Sequence, residues 1–430
     1  MNQPLKIAVA GLGTVGGGTL KLLRKHAALL ERRCGRAIVV SAVSARDREK
    51  DRGVPVDGFR WFDDPLAMAA DADVDVVVEL IGGEDGIAKE LCEAAIANAK
   101  HVVTANKALI AHHGTALAHS SEAAGVTLAY EAAVAGGIPI VKTLCEGLAA
   151  NGLSRVYGIL NGTCNFILTA MRESGREFAE VLEEARALGY AEADPSLDVD
   201  GVDTAHKLAI LASLAFGCEI NFAAVHIEGI RHVTLTDIRF AEELGYHIKL
   251  LGIAAVSGEG VEQRVHPCMV PVSAPIAHVE GVFNAVVADG DFVDTIMQEG
   301  QGSGAGPTAS AVVADLVDIA RRRNVPTFAV PAKDLKRLPA VPMERHRGAY
   351  YIRLMVLDRP GVFADVAAVL RDHDVSMESV LQRGRAPGEA VPVVMTIHET
   401  EEAAMQGALQ EIGALEAVVE APRMIRIESF

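Results

Sequence analysis

Short apolar runs alternate with stretches of helical periodicity over the first third of the chain. Four of these runs are rich in Val, Ile and Ala and are bounded by Gly, Asn or charged residues: "KIAVAG", "AIVVSAVSA", "VDVVVELIG" and "HVVTAN". The segments between them, such as "GGTLKLLRKHAALLERR" and "GIAKELCEAAIANAK", suit helices. Unbroken apolar strands that alternate with helices are typical of a parallel sheet covered on both faces, so residues 1–130 are predicted to form a parallel α/β domain.

The pattern changes in the middle of the chain. The segment "GVDTAHKLAILASLAF" is apolar almost all round and predicts a buried helix, whereas "GIAAVSGEGVEQRVHPCMVP" and "VFNAVVADGDFVDTIMQEG" alternate as antiparallel strands do. A closing helix is predicted over 308–323, and we expect it to pack back against the first domain. Residues 131–329 are therefore predicted to form a second, α+β domain.

The end of the chain carries an alternation of its own. Residues 330–348 are basic and rich in Pro, which is typical of a linker. Residues 349–430 then follow the order β-α-β-β-α-β, the pattern of a ferredoxin-like domain. The hydrophobic pattern thus predicts three domains, which a length of 430 residues accommodates.

Charge and composition argue against several classes of protein. The formal net charge is −17 at pH 7 with no block of Lys or Arg, so a nucleic-acid partner is not expected. The apolar runs are too short to span a bilayer, and the first residues lack the features of a signal peptide. The six cysteines are scattered without a CxxC pair, which suits free thiols and offers no zinc site. A soluble, cytoplasmic protein is expected.

A glycine-rich loop follows the first predicted strand. Gly11, Gly13 and Gly16 fit the spacing G-x-G-x-x-G between a strand and a helix, with Thr14 and Val15 at the start of that helix. The first glycine permits a tight turn, the second lets a pyrophosphate approach, and the third allows close helix–strand packing. A simple glycine-rich turn is the alternative in a chain with 40 glycines, but the neighbouring strands favour a dinucleotide at the helix N-terminus.

The end of the second predicted strand bears on the choice of dinucleotide. Arg46 follows that strand, with Arg48 and Lys50 close behind. Basic residues there accommodate the 2′-phosphate of NADP, whereas an acidic residue favours NAD. NADP(H) is therefore favoured, and NAD(H) stays open because Asp47 lies among the basic residues. A solvated charged loop would have the same composition.

An acidic segment precedes the helix that is predicted to be buried. "LGYAEADPSLDVDGVDTAHK" holds five carboxylates, among them Glu192, Asp198 and Asp203, and ends on Lys207. Asp203 and Lys207 are four residues apart, and an exposed ion pair on a helix is the usual explanation of that spacing. Because this helix should be buried, the pair is instead expected to line a cleft. A lysine there can have a shifted pKa and transfer protons, and the carboxylates can bind an ammonium group.

Two further loops carry candidate ligands. Lys107 follows the strand "HVVTAN", where ligands bind in parallel sheets, and a ligand contact and a plain surface position fit it equally. Glu131, in the turn "YEAAVAGGIPI", could hold a hard monovalent cation with nearby carbonyls or belong to a simple turn. The 14 histidines, including His206, show no metal-ligand spacing, and no Ser-His-Asp or Cys-His arrangement is evident.

Side by side, these segments resemble the homoserine dehydrogenases of the long bacterial type over essentially the whole chain. The resemblance rests on "GLGTVGGG", "TANKALIA", "YEAAVAGGIPI", "GILNGTCNFILTAM", "LGYAEADPSLDVDGVDTAHKLAILA" and "GAGPTASAVVAD", of which the segment from Leu188 to Ala212 is the most specific. It implies reversible, NAD(P)-dependent interconversion of L-aspartate 4-semialdehyde and L-homoserine in threonine, methionine and isoleucine biosynthesis. It also implies a Rossmann domain over 1–130, a catalytic and dimerisation domain over 131–329, and a homodimer or homotetramer.

The resemblance also implies roles for individual residues. Lys207 is the expected acid/base, Asp203 its partner, and Lys107 a contact to substrate and cofactor. Glu192 and Asp198 would hold the amino-acid end of the substrate. A structural Na⁺ site is implied at Glu131 with the carbonyls of Val134, Gly136 and Ile138. A second loop on the cofactor side is implied at Gly304 and Gly306. Two lysines near one oxygen would also lower each other's pKa.

The tail resembles an ACT domain, a small amino-acid-sensing module. Its "DRPGV" turn, centred on Gly361, carries the resemblance, and threonine is the effector we hypothesise for residues 349–430. Two alternatives are another NAD(P)-dependent amino-acid dehydrogenase and a non-catalytic sensor of a dinucleotide and an amino acid. The presence of Lys107, Asp203 and Lys207 together argues against the sensor, and the acidic residues around Asp198 favour homoserine.

Overall fold

Residues 3–71, 73–383 and 388–430 are described by the computed structural model, and they form two sheets with covering helices. The strands, in chain order, are β1 (Leu5–Ala10), β2 (Ile38–Ser44), β3 (Arg60–Phe62), β4 (Val76–Glu79), β5 (His101–Thr104), β6 (Leu128–Ala129), β7 (Leu153–Ile159), β8 (His226–Ile227), β9 (Tyr246–Ser257), β10 (Gly260–Pro271), β11 (Phe283–Gly290), β12 (Asp294–Gln301), β13 (Arg347–Leu357), β14 (Met377–Gln382), β15 (Ala390–Glu401) and β16 (Arg423–Ile427). The α-helices are α1 (Thr14–Lys25), α2 (Ala27–Cys34), α3 (Pro65–Ala69), α4 (Ile87–Ala97), α5 (Lys107–Ala123), α6 (Ile140–Lys142), α7 (Gly162–Ser174), α8 (Phe178–Ala187), α9 (Ser196–Val199), α10 (Val202–Phe216), α11 (Leu235–Glu243), α12 (Ala305–Ala320), α13 (Val362–Asp372) and α14 (Glu402–Gly413).

The first sheet is parallel throughout and has the strand order β3-β2-β1-β4-β5-β6. Alternate residues of β1 enter different cores: Ile7 and Val9 share one with α1 and α12, whereas Ala8 shares another with α3 and α4. Burial on both faces confirms the parallel α/β domain that the apolar strands predicted. Helix α12 approaches α1 so closely that a Cβ on Gly18 would lie 2.6 Å from the Ala305 carbonyl oxygen.

The second sheet contains the antiparallel strands that the alternating segments predicted. Strands β7, β9, β10, β11 and β12 pair antiparallel with their neighbours in this group. Helix α10 packs on β7 and β9, and all its residues from Asp203 to Leu214 are buried. The buried helix is thus confirmed, and its first two turns carry Asp203 and Lys207 into the interior.

The tail continues the second sheet instead of forming a sheet of its own. Its elements keep the order β-α-β-β-α-β from β13 to β16, which confirms the ACT pattern. Strand β16 lies between β10 and β13, parallel to β10 at Cys268 and Met269 and antiparallel to β13. The full order is therefore β12-β11-β7-β9-β10-β16-β13-β15-β14, with β8 beside β10. The hydrophobic pattern did not indicate this junction, because pairing between strands so distant in sequence leaves no local signal.

The cysteines do not form disulfides. All six are free thiols, and four of them, Cys92, Cys164, Cys218 and Cys268, are buried as small apolar groups. Among the described residues, no helix has the length and apolar character needed to cross a bilayer.

Candidate active site

Lys107 opens helix α5 at the carboxyl end of β5. Asn106 caps this helix: its side-chain oxygen accepts the Leu109 N–H at 3.1 Å, and its amide nitrogen donates to the Gly83 carbonyl at 2.6 Å. The hydroxyl of Thr104 accepts the Asn106 N–H at 2.9 Å, so the strand end holds the cap in place. The Lys107 side chain is 43% exposed and extends from this cap to the second domain.

Asp203 joins two lysines that are distant in the sequence. It lies in the first turn of α10, where the helix dipole favours a carboxylate. Its Oδ2 accepts a hydrogen bond from Lys207 Nζ at 2.7 Å, and its Oδ1 pairs with Lys107 Nζ at 2.6 Å. Lys207 Nζ also donates to the Leu160 carbonyl at 2.6 Å. We call Lys107, Asp203 and Lys207 the lysine–aspartate–lysine cluster.

The environment of this cluster shifts the pKa values of its two lysines in opposite directions. The charge of Asp203 is the main cause that raises the pKa of Lys107. Burial is the main cause that lowers the pKa of Lys207, and the Lys107 charge adds to this shift. Burial acts to raise the pKa of Asp203, but the ammonium groups of Lys207 and Lys107 outweigh it and hold that pKa well below its usual range. Lys207 therefore has the lowered pKa that was expected of both lysines, whereas the net pKa of Lys107 is raised because the charge of Asp203 has the largest effect on it.

Two further carboxylates lie beside the cluster. Asn161 connects it to Asp198: its Nδ2 donates to Asp198 Oδ1 at 2.7 Å and to Asp203 Oδ2 at 2.8 Å. Burial raises the pKa of Asp198, and the charge of Asp203 adds to the shift. Glu192 is exposed, and the charges of Asp198 and Glu192 both act to raise the pKa of Lys107. Both carboxylates therefore lie within electrostatic reach of the Lys107 ammonium.

Asn161, Thr163 and the Leu160 carbonyl are site groups to which the sequence reasoning assigned no role. All three follow β7, where Asn161 caps α7 by accepting the Cys164 N–H at 2.8 Å, and the Thr163 hydroxyl donates to Asp198 at 3.2 Å. An Asn-Gly pair between a strand and a helical pattern was the available signal, since Asn is a common N-cap. The contacts with Asp198 join segments far apart in the chain, so spacing did not reveal them.

The glycine loop has the shape that a dinucleotide requires. Gly11 has φ of +89°, and a Cβ there would overlap the Leu80 carbonyl, while a Cβ on Gly16 would overlap the Gly11 carbonyl. A Cβ on Gly13, by contrast, would meet nothing within 4 Å, so the space above it is open. The first turn of α1, with Thr14 and Val15, supplies the unpaired N–H groups that bind a diphosphate. These residues fit the dinucleotide that the sequence predicts.

A cavity of about 630 Å³ extends from this loop to the end of β2. Its lining includes two glycines and four charged residues that follow β2, namely Gly11, Gly13, Arg46, Asp47, Lys50 and Arg52. Arg48 is not part of the lining, and its guanidinium lies over the Trp61 ring, 5.7 Å from the centroid. The end of the cavity at β2 therefore has charges of both signs, with three basic groups and one carboxylate from this loop.

The second glycine loop leads into α12. Gly304 is the N-cap of α12 with φ of +110°, and a Cβ on Gly306 would meet nothing within 4 Å. The close approach of Gly18 to Ala305 places this helix start beside α1. The two loops that the sequence associated with the cofactor are thus brought near each other.

Glu131 is buried in the turn that follows β6. Its carboxylate accepts the N–H groups of Val141 and Lys142 at 3.0 and 2.8 Å. Burial raises the pKa of Glu131 to about 8, and the nearby Asp315 charge adds to this shift. Lys142 offsets part of the negative charge, with its Nζ 3.0 Å from Asp315, and it also pairs with Asp318. The buried setting of Glu131 therefore disfavours its ionised form, and additional positive charge nearby would stabilise that form.

The rest of this turn contacts the second glycine loop. Val134 and Ile138 are buried, and a Cβ on Gly136 would lie 2.6 Å from the Gly302 carbonyl oxygen. The Gly137 N–H donates to the Gln301 carbonyl at 2.9 Å. The turn that carries Glu131 thus supports the backbone that leads into α12.

Comparisons with known proteins point to one family. Family models described as "Homoserine dehydrogenase", "Homoserine dehydrogenase, NAD binding domain" and "ACT domain" match residues 139–317, 11–131 and 350–417. A homoserine dehydrogenase of Neisseria gonorrhoeae is 46% identical over 434 residues, covering 100% of this chain and 99% of the relative. One from Pseudomonas aeruginosa is 46% identical over 437 residues, covering 100% of both. The crystal structure of a homoserine dehydrogenase from Thiobacillus denitrificans matches with a TM-score of 0.94 at 46% identity, covering 99% of both chains.

Proposed function

The chain belongs to the homoserine dehydrogenase family, and we propose that its lysine–aspartate–lysine cluster carries the proton transfer of the reaction. The protein is an NAD(P)-dependent oxidoreductase acting on a CH–OH group, and it interconverts L-aspartate 4-semialdehyde and L-homoserine. Membership of this family argues against the two alternatives, a non-catalytic sensor and a different amino-acid dehydrogenase. The observation that carries the proposal is the double contact of Asp203, 2.7 Å from Lys207 and 2.6 Å from Lys107.

The two lysines have different tasks in this proposal. When bound, the nicotinamide supplies a hydride to the aldehyde carbon. The Lys207 ammonium donates a proton to the aldehyde oxygen, because its lowered pKa makes it the stronger acid of the two. Lys107 keeps its proton and stabilises the negative charge that develops on that oxygen. In the direction of homoserine oxidation, neutral Lys207 accepts the hydroxyl proton.

The carboxylates beside the cluster bind the other end of the substrate. We propose that Asp198 and Glu192 hold the ammonium group of homoserine, since an amino acid brings a cation that carboxylates complement. Asn161 and Thr163 orient Asp198 through hydrogen bonds of 2.7 and 3.2 Å. Asp203, which already contacts two ammonium groups, acts on the lysines and not on the substrate.

We propose that NADP(H) is the preferred cofactor and that NAD(H) is also used. Arg46 and Lys50 line the cavity near the end of β2, where the 2′-phosphate would bind, and Asp47 accounts for residual use of NAD(H). Replacing Arg46 by Ala is expected to lower kcat/KM for NADP⁺ by about 10-fold, through loss of one charged hydrogen bond. The same change should leave kcat/KM for NAD⁺ within about twofold. Initial rates with each cofactor measure this, and equal losses for both cofactors would contradict the assignment.

We propose a structural Na⁺ ion at Glu131 and the carbonyls of Val134, Gly136 and Ile138. Hard monovalent cations take oxygen ligands, and this turn offers a carboxylate and several carbonyls. The raised pKa of Glu131, about 8, is what a buried carboxylate has when its charge is incompletely balanced. The ion would stabilise the turn and, through Gly137 and Gln301, the second glycine loop.

We propose that the protein assembles as a homodimer or homotetramer through the middle domain. Strand β12 is an edge of the second sheet, and Phe292 and Phe283 near it are 87% and 40% exposed. Exposed apolar groups beside the unpaired edge of a strand are typical of a surface that another chain covers.

We also propose that the enzyme acts in the cytoplasm, within threonine, methionine and isoleucine biosynthesis. Its functional units are residues 1–130, 131–329 and 349–430, and a linker over 330–348 connects the last two.

We propose that threonine inhibits the enzyme by binding to the tail. Two ion pairs of buried arginines join the tail to the middle domain: Arg353 with Asp237 at 2.7 Å, and Arg426 with Glu228 at 2.9 Å. Two residues beyond Glu228, the Ile230 N–H donates to the carbonyl of Val199, the neighbour of Asp198. These contacts form a continuous physical connection from the tail to the substrate carboxylates.

A test of threonine inhibition requires the full chain, because removal of the tail would take β16 away from β10. Gly361 is the N-cap of α13 with φ of +99°, and a Cβ there would meet nothing within 4 Å. Gly361→Asp is expected to weaken threonine inhibition by at least about 10-fold while activity without threonine changes little. Gly125→Asp is the matched control in the first domain, because Gly125 also has a positive φ, +68°, and a Cβ there would also meet nothing within 4 Å. Unchanged sensitivity of Gly361→Asp to threonine would contradict binding at this turn.

A further inference from the structure

Three potential metal ligands from separate segments, two of them exposed and one buried, meet next to the active site. Glu84 lies between β4 and α4, His112 lies on α5, and His206 lies on α10. One ligand atom from each lies within 4.8 Å of the other two. His112 Nε2 is 3.2 Å from a Glu84 carboxylate oxygen, and the two imidazole centroids are 5.4 Å apart. We call these residues the Glu–His–His cluster.

The cluster combines a fixed geometry with access from solvent. The Phe222 ring lies 4.6 Å from the His206 ring and 4.7 Å from the His112 ring, measured between centroids. These contacts restrict the orientation of both imidazoles. The Glu84 and His112 side chains are 55% and 31% exposed, so an ion can reach the cluster from solvent. Within the part of the chain that the structure describes, no group forms a hydrogen bond with the His206 ring, so its nitrogen is not already committed.

The ligand types select a class of ion. Two imidazoles and one carboxylate suit borderline transition ions such as Zn²⁺, Ni²⁺ and Co²⁺, in contrast to the oxygen-only sets that Ca²⁺ and Mg²⁺ prefer. Histidine is largely neutral at pH 7 when unperturbed, and neutral imidazole is the form that binds metals. Three protein ligands leave at least one coordination position for water.

A second cluster of this kind, His266, Cys268 and Glu428, lacks these properties. All three residues are buried, and Glu428 accepts two hydrogen bonds from Arg264 at 2.8 and 2.9 Å. The Arg426 charge also acts on His266. A cation there would have to break an existing ion pair and face two guanidinium groups, so binding at this position is electrostatically unfavourable.

We propose that Glu84, His112 and His206 bind one divalent transition-metal ion, with water completing the coordination, and that the bound ion inhibits turnover. Glu84 and His112 belong to the first domain, whereas His206 immediately precedes Lys207 in the second. A bound ion would connect the two domains beside the reacting groups and place two positive charges near Lys107 and Lys207. This inference stands apart from the roles proposed for the lysines, since ion binding requires neither of them.

The test is a titration of the metal-free full-length protein with ZnCl₂, followed by calorimetry, and with CoCl₂, followed by visible absorbance. We expect one ion per chain, and we expect His112→Leu to weaken Zn²⁺ binding by more than about 100-fold because it removes a direct ligand. His112→Leu should leave turnover without metal within about twofold of the parent, since His112 contacts no reacting group. Zn²⁺ should inhibit the parent protein, a chelator should restore its activity, and His112→Leu should resist inhibition.

His113→Leu is the matched control. His113 is the neighbouring histidine, but it pairs with Asp85 at 2.9 Å and lies outside the cluster. The His113→Leu variant should bind Zn²⁺ as the parent does, whereas Glu84→Gln should weaken Zn²⁺ binding. Equal binding by the parent and His112→Leu would overturn the proposal. So would a loss of binding in His113→Leu as large as in His112→Leu, because the ion would then be held by a different set of residues.

Discussion

Replacement of Lys207 by methionine is expected to lower kcat for homoserine oxidation by about 10²–10⁴-fold, the range that a positioned acid/base contributes. Methionine fills a similar volume but has no proton to give or accept. Lys207 is held by Asp203 at 2.7 Å and by the Leu160 carbonyl at 2.6 Å, so its ammonium has a defined position that water would not reproduce. Steady-state rates at saturating homoserine and cofactor measure the effect.

Lys249 provides a matched control for this variant. It is also a buried lysine of the middle domain, and burial is the main cause that lowers its pKa to about 8. Its Nζ donates to the Val279 carbonyl at 2.6 Å and contacts no member of the cluster. Lys249→Met should therefore lower stability by an amount comparable to Lys207→Met while leaving kcat of the folded protein within a few-fold. Equal kcat losses in the two variants would contradict a specific role for Lys207. Affinity for NADPH, measured by fluorescence, should change in neither.

The second large effect is expected for Asp203→Asn. The substitution keeps the shape of the side chain but removes the charge that pairs with both lysines. The pKa of Lys107 should fall because Asp203 is the main cause that raises it, and Lys207 should lose its orientation. We expect kcat to fall by about 10²–10³-fold, comparable to the loss of one charge-stabilising group in a buried site. The free energy of unfolding should fall by as much as about 3 kcal/mol, since two ammonium groups lose their buried partner.

Asp200→Asn separates this effect from a general loss of negative charge. Asp200 lies three residues earlier and pairs with Arg231, and its side chain is 44% exposed. Its substitution should leave kcat within about twofold and stability within about 0.5 kcal/mol. A kcat for Asp203→Asn close to that of the parent, in protein shown to be folded, would contradict the proposed pairing.

Local patterns predicted the elements of the fold better than their assembly. The parallel domain followed from unbroken apolar strands, and the buried helix followed from an apolar run without a polar face. The position of β16 inside the second sheet had no such signal, because its pairing with β10 at Cys268 and Met269 depends on tertiary contact. Secondary-structure propensity and hydrophobic periodicity depend on residues that are close in sequence. The strands that pair with β16 are distant in sequence and come next to it only when the chain folds.

The candidate site shows the same division. Spacing placed Asp203 and Lys207 on one helix face, which the 2.7 Å contact bears out. It left the position of Lys107 open, and the structure places this lysine 2.6 Å from Asp203, across the boundary between the two domains. The expectation that both lysines have lowered pKa values was wrong for Lys107 because it considered their mutual repulsion without the carboxylate between them. Sequence patterns indicated no role for Asn161, because this residue acts through hydrogen bonds to Asp198 and Asp203, which lie in another segment.

The pH dependence of a single turnover tests the role of Lys207 most directly. Aldehyde reduction and homoserine oxidation would each be followed at the nicotinamide absorbance band, in the parent and in Lys207→Met. In the proposed mechanism, reduction requires protonated Lys207 and should slow as the pH rises through the pKa of this lysine, which burial holds below its ordinary value. Oxidation requires the neutral amine and should speed up over the same interval, and Lys207→Met should lose both this dependence and most of the rate. If Lys207→Met instead keeps the parent's rate and pH dependence in both directions, Lys207 is not the acid/base and the proposed mechanism is wrong.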